Sequence, residues 1–361
     1  MKGSYIRSGD SDEPMTEFEI YSNEAFRKKY QDDIRPVPRA TFDMLDKMLL
    51  NHYLDCLKEK KPNLSSLPDK TIYDLMSITR NGQLTLSSVM LFCKYPQAYF
   101  PQLCITAIVL PHEKIGELGS SGERFMDNQR IEGNIPEMLD QAISFVRKNM
   151  RTKTIINHVT GKREDRTDYP VNAIREALLN SLVHRDYSVH TEGMPIQLLL
   201  FPDRIEIKNL GGIYGRLSID QLGKIQPDTR NPVLVTALEV LGITENRYSG
   251  IPTIRLAMEE YGLNKPVFTD DRGTFTVILY KEPVIQTENQ SEKFGRNEAE
   301  LLHFLEVPRS RQEIAEHLGI GTIAYAMQAY INPLIKKNLI KMTIPAKPRS
   351  QKQRYVRSEN K

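Results

Sequence analysis

Apolar residues recur at helical spacing along residues 171–187, VNAIREALLNSLVHRDY, where Ile174, Leu178, Leu182 and Val183 fall on one stripe. The pattern predicts an amphipathic helix. Pro170 opens it, at a position where a missing N–H has no partner to lose. Glu176 and Asn180 stand one turn apart on this helix, so both side chains point to the same side. Upstream, the same reading gives helices over residues 17–30, 41–60, 69–76 and 136–149. Phe42, Leu45, Met48, Leu49 and Tyr53 form the stripe of the second, and Met138, Leu139, Ala142, Ile143 and Val146 that of the last. Residues 83–92 are apolar without a deciding period and read as helix or strand. Strand signals lie at residues 4–7, 102–110 (QLCITAIVL) and 125–131, and within 151–169 ahead of a charged turn.

After the central helix, residues 195–201 and 204–209 read as two strands joined by a tight turn at Pro202 and Asp203. Alternation puts Ile205 and Ile207 on one face and Glu206 and Lys208 on the other. The second strand runs into Asn209, Leu210, Gly211 and Gly212. Two glycines there either make a plain turn or let the backbone approach a flat or anionic ligand closely. Helices follow over residues 231–241 and 251–261, and a strand over 273–280 completes the sheet. Ser249 and Gly250 precede a helix N-terminus, a place where phosphate can rest on free N–H groups.

A linker rich in Gln, Glu, Asn and Ser separates residues 296–361 from the rest. That end has helices over 297–305 and 310–319, the latter opened by a capping box of Ser310 and Glu313. A third helix starts at Thr322 and bends at Pro333. Strands over 339–344 and 353–356 close the unit. Three helices and a basic hairpin are the pattern of a winged helix-turn-helix. Thr322, Tyr325 and Gln328 are the base-reading candidates on its third helix. Lys347, Arg349, Lys352 and Arg354 are the phosphate-contacting candidates of the hairpin, with double-stranded DNA as partner. The competing use of such a unit is dimerisation or protein contact.

Composition sharpens this picture in three ways. The chain has 361 residues, which predicts more than one domain. Its net charge of +3 hides a basic end: from Lys336 onward nine Lys and Arg face one acid, so the rest sums to −5. That asymmetry favours an anionic partner for the C-terminal end. No apolar run reaches the ~20 residues of a membrane span, no signal-peptide core is present, and three cysteines without metal-ligand spacing read as thiols in the cytoplasm. No P-loop pattern occurs, which argues against a motor ATPase of the helicase kind.

The run REALLNSLVHRDY, then FPDRIEIKNLGG, RNPVL and LGITENRYSGI, resembles the C-terminal domain of transcriptional regulators and RecG-like ATP-dependent helicases. Those proteins usually carry an N-terminal Schlafen/AlbA-type domain, and residues 1–40 resemble the closing part of one. The resemblance implies an α+β chain with a GHKL-like α/β sandwich, similar to the ATPase domains of gyrase and histidine kinases. Its expected parts are a remnant and linker (1–40), an α/β scaffold (41–150), the GHKL-like domain (151–283), a linker (284–295) and the winged helix (296–361). It implies ATP and magnesium as cofactors, with Glu176 as general base and Asn180 as magnesium ligand. Asn209, Gly211 and Gly212 take the adenine-binding position, and Ser249 and Gly250 the second glycine box. Two residues depart from the family pattern: Asn209 stands where an Asp reads adenine, and Tyr248 where a Gly opens the second box. Ser181, His184 and Asp186 do not form a catalytic triad on spacing alone, and Arg185 and Asp186 read as a helix-end ion pair or cap. The expected function is a cytoplasmic, homodimeric DNA-binding regulator. The rivals are a DNA-stimulated ATPase and a dimerisation scaffold that has lost its ligand.

Overall fold

The strands Ile105–Val109 (β5), Asp127–Ile131 (β6), Ile196–Leu200 (β9), Arg204–Leu210 (β10), Val267–Asp271 (β11) and Thr274–Tyr280 (β12) pair into one sheet, numbered by their place in the chain among smaller hairpins. The order is β11-β12-β10-β9-β5-β6, antiparallel everywhere except between β5 and β9. The computed structural model describes residues 4–8, 11–156, 163–244, 249–281, 301–317, 327–336, 339–344, 350 and 353–358. It divides into two compact units, residues 1–283 and 284–361.

Sequence alternation decides which face of the sheet is covered. Ile196, Leu198 and Leu200 of β9 and Ile205 and Ile207 of β10 point into the main core. Leu199 and Phe201 turn the other way and join Leu110 in a small second cluster. The main core is roofed by helices Ile135–Asn149 (α5), Val171–His184 (α6) and Gly250–Glu260 (α8). Helix α6 lies in the middle, packed against α5, α8 and β10. The chain is therefore a mixed α+β fold with a mixed sheet layered against helices. The same core takes in Val37, Leu50, Tyr53 and Phe92, so residues ahead of the sheet share one interior with it.

Three element expectations need correction. The helix expected from residue 41 begins at Lys47 (α2, Lys47–Lys60), because Asp46 caps it by accepting from the N–H groups of Met48 and Leu49 at 2.8 and 3.1 Å. Its buried stripe is Leu50, Tyr53, Leu54 and Leu57, while Met48 is 84% exposed. The expected charged turn near residue 165 is a strand (β8, Arg163–Thr167) paired with Thr152–Ile156 (β7). A two-stranded ribbon with no buried residue among those whose burial is described carries no hydrophobic period. Edge strand β11 also went unforeseen, although its turn into β12 places Arg272 and Gly273 at φ 48° and 82°. That is the left-handed pair a two-residue hairpin demands. The undecided apolar stretch resolves into a short strand, Gln83–Leu84 (β4), and a fully buried helix, Leu86–Phe92 (α4).

In the second unit, Leu301, Leu305, Ile314, Ile331, Leu334, Ile340 and Tyr355 form a core of their own. Ser310 and Glu313 make the expected capping box at 2.8 and 3.2 Å ahead of helix Arg311–His317. Met327–Ile331 is a π turn leading into Asn332–Lys336. Pro333 has no N–H with which to close an ordinary α turn, which favours such widening. Strands Ile340–Met342 and Tyr355–Arg357 pair antiparallel.

Candidate functional site

Helix α6 is buried on nearly every side. Ala173, Ile174, Ala177, Leu178, Leu179, Ser181, Leu182 and Val183 are all inside. Apart from Val171 at its start and Arg175, which donates to the Ile243 carbonyl at 2.7 Å, solvent reaches the helix along one stripe: Asn172, Glu176, Asn180 and His184. These follow at intervals of four, so each lies above the last with a slow rotation about the axis. Asn180 Nδ2 donates to Glu176 Oε1 at 3.2 Å. The far end of the helix is fixed by distant residues: Asn231 Nδ2 donates to the carbonyls of Val183 and Arg185, both at 2.8 Å, and the Tyr187 hydroxyl to that of Leu182 at 2.8 Å. These bonds satisfy carbonyls that a helix C-terminus otherwise leaves open.

Gly250, the first residue of α8, rests directly on this stripe. A Cβ at Gly250 would overlap Glu176 Oε1 and lie 2.9 Å from Asn180 Nδ2. With these two side chains as they stand, the space holds no Cβ, and a larger residue would have to push their ends aside. The approach sets the Glu176 carboxylate beside a helix N-terminus, where the dipole and open N–H groups favour negative charge. Ser249 occupies the cap position of α8 without a side-chain cap bond, and its carbonyl accepts from Thr253 N–H at 2.7 Å. Four of the predicted residues, Glu176, Asn180, Ser249 and Gly250, are thus brought together. Tyr248 lies outside the described residues.

Asn209, Gly211 and Gly212 sit at the other end of α6. Asn209 is buried on the same face of β10 as Ile207, and its Nδ2 donates to the Leu210 carbonyl at 3.4 Å. Gly211, at φ +100°, has its Cβ position 2.6 Å from the Asp186 backbone nitrogen, and Asp186 N–H donates to the Leu210 carbonyl at 2.8 Å. A Cβ at Gly212 would overlap the carboxylate of Asp270, which also accepts from Ile213 N–H at 2.7 Å. The close approaches these glycines permit are made by the protein itself.

The expectation of a helix-end ion pair or cap at Arg185 and Asp186 holds in part: Arg185 ends the helix and its Nε donates to the Asp186 carbonyl at 3.3 Å, but the two side chains form no ion pair with each other. Asp186 forms a buried ion pair with Arg230, 44 residues away in sequence, and accepts from Ser188 N–H at 2.7 Å and from the Thr191 hydroxyl at 3.2 Å. Arg230 also donates to the Gly212 carbonyl at 3.2 Å and lies 4.9 Å from the Tyr214 ring. Arg185 is buried, with burial pushing its pKa down, and it donates to the carbonyls of Met194 and Thr191 at 2.8 and 3.2 Å. Ser181 is buried and donates to the Leu178 carbonyl at 2.7 Å, so its hydroxyl is spent within the helix. Arg230 was missed from sequence because nothing local marks it.

Of the DNA-contacting candidates, Arg354 is described: it is exposed, on the hairpin, and 3.3 Å from Glu313. Gln328 falls in the π turn, its side chain outside the description. Thr322, Tyr325, Lys347, Arg349 and Lys352 lie outside the described residues.

With this geometry in place, residues 193–279 match the family described as "Putative ATP-dependent DNA helicase recG C-terminal". This segment resembles an ATPase domain. It contains β9 to β12, α8 and the Asn209–Gly212 and Ser249–Gly250 positions, and it begins after α6 has ended. Residues 298–357 match the family described as "Filamentation induced by cAMP protein Fic-like, C-terminal domain". Among solved structures, the chain is similar in fold to the DIP2311 protein from Corynebacterium diphtheriae. The TM-score is 0.53 at 16% identity, covering 98% of this chain and 69% of that one. No curated protein matches. Among the described residues no helix is long and apolar enough to cross a membrane.

Proposed function

We propose that this chain binds ATP with magnesium along α6 and couples that site to a DNA-contacting winged helix formed by residues 296–361. The carrying observation is the seat of Gly250 on Glu176 and Asn180. It sets a carboxylate, a carboxamide and a helix N-terminus within reach of one another, with a glycine where any side chain would fill the space. This donor set suits the proposed ligand. The first N–H groups of α8, at Gly250 and Ile251 ahead of Pro252, would hold phosphate oxygens, the Asn180 amide oxygen would serve as a hard ligand for magnesium, and Glu176 would be the group able to take a proton from an attacking water. Bound magnesium would supply charge neutralisation of the phosphates. Asn209, Gly211 and Gly212 make the base end. Asn209 accepts or donates there without the charge that an Asp would add.

The basic end supports the DNA arm of this reading, as does the helix-and-hairpin core around Leu305, Ile314 and Tyr355. Nucleotide state would then bias DNA contact or self-association. Glu176→Gln separates binding from chemistry: the variant binds magnesium ATP as wild type does and loses turnover. Equal turnover in both would remove Glu176 from the role of base. Deletion of residues 296–361 abolishes salt-sensitive binding to a double-stranded DNA probe, and binding that survives the deletion refutes the winged-helix assignment.

A further inference from the structure

The accessible stripe of α6 does not end at Asn180. One turn on, His184 is exposed while Ser181, Leu182, Val183, Arg185, Asp186 and Tyr187 around it are buried. Solvent reaches its ring, yet desolvation and then the charge of Arg230 push its pKa down to about 4. A ring that is both accessible and crowded by protein lines a cleft rather than a convex surface. The imidazole is accordingly neutral at pH 7, with one donor and one acceptor.

Two glycine contacts give this cleft a direction. Gly250 meets the stripe at Glu176 and Asn180, while Gly211 meets the chain at Asp186, just past His184. Arg230 bonds the Gly212 carbonyl and acts on His184. The eight-residue rise from Glu176 to His184 is about 12 Å, comparable to the reach of an extended nucleotide. Magnesium and phosphate therefore belong to the Gly250 end. His184 stands at the other end of the stripe, away from the α8 N-terminus and two residues before Asp186, which Gly211 meets.

We infer that His184 is a ligand-contacting residue that hydrogen-bonds the uncharged base or ribose of the nucleotide, as the third rung after Glu176 and Asn180. This rests on the nucleotide reading given above. The test is calorimetric titration of the full chain with magnesium ATP, with adenosine and with magnesium pyrophosphate, comparing wild type, His184→Ala and His184→Gln. In His184→Ala, affinity for ATP and for adenosine falls about tenfold, the equivalent of one lost hydrogen bond, while pyrophosphate binds as before. His184→Gln, which keeps a donor and an acceptor, recovers part of the loss. Equal binding of all three probes by wild type and His184→Ala, or a loss confined to pyrophosphate, overturns the role of His184 and leaves the ATP site standing. Failure of wild type to bind any of them overturns the ATP site and the inference together.

Discussion

Helix α6 and the residues that leave it carry similar chemistry to opposite ends. Glu176, Asn180 and His184 keep solvent access, and the first two meet a glycine across the cleft. Arg185, Asp186 and Arg230 carry formal charge but are sealed within bonds to carbonyls, N–H groups and each other. Charge alone does not mark a reactive site. The polar residues of this motif divide between chemistry and architecture according to what they can still touch, and the substitutions that separate the two roles differ in size.

The largest effect falls on the sealed network. Arg230→Ala leaves Asp186 buried and unpaired, and urea denaturation should show a loss of about 3–5 kcal/mol. An effect below about 1 kcal/mol would mean that water enters and serves as partner, which would weaken the contrast between the two regions.

Asp33 belongs with the sealed group. Its Oδ2 accepts from the N–H groups of Val233 and Leu234, at 2.9 and 3.3 Å, at the start of helix Pro232–Val240 (α7), and burial pushes its pKa from 3.8 up to about 6. The folded state therefore holds this proton to higher pH than the unfolded chain. Its stabilising contribution is full below pH 3.8 and is lost as pH rises through about 6. Asp33→Asn keeps an acceptor for α7 without the titration. Relative to wild type it should gain up to about 3 kcal/mol between pH 4 and pH 7. A difference that stays flat with pH would show that Asp33 is not the group responsible.

On the accessible side, Gly250→Ala forces a Cβ onto Glu176 and Asn180. Because the ends of these two side chains can swing aside, the change should cost only about 1 kcal/mol, yet weaken ATP binding beyond what the thermal shift alone would explain. The smallest change is at the second unit: Ser310→Ala removes half of a capping box and should cost about 1 kcal/mol, with ATP affinity unchanged.

Much of this was legible in the sequence. The 3.6-residue period of α6, the alternation of β9 and β10 and the punctuation at Gly250 all follow from local rules, because each element buries one patterned face. Strands β8 and β11 were not legible, since an exposed ribbon and an edge strand bury no such face. The Asp186–Arg230 pair joins residues 44 apart in sequence, and no spacing rule reaches across a fold. The continuation of the Glu176–Asn180 interval to His184 was present in the sequence. What marks it is the burial of nearly all the rest of the helix, and only the packing of α5, α8 and β10 reveals that.

The central claim is that the accessible stripe of α6 is a nucleotide site. Calorimetric titration with ATP and magnesium, wild type beside Asn180→Ala, tests it most directly. The account predicts saturable binding by wild type that is lost in the variant, with thermal stability preserved because Asn180 faces the cleft. Absence of binding by wild type up to millimolar ATP, or equal binding by both proteins, would contradict it.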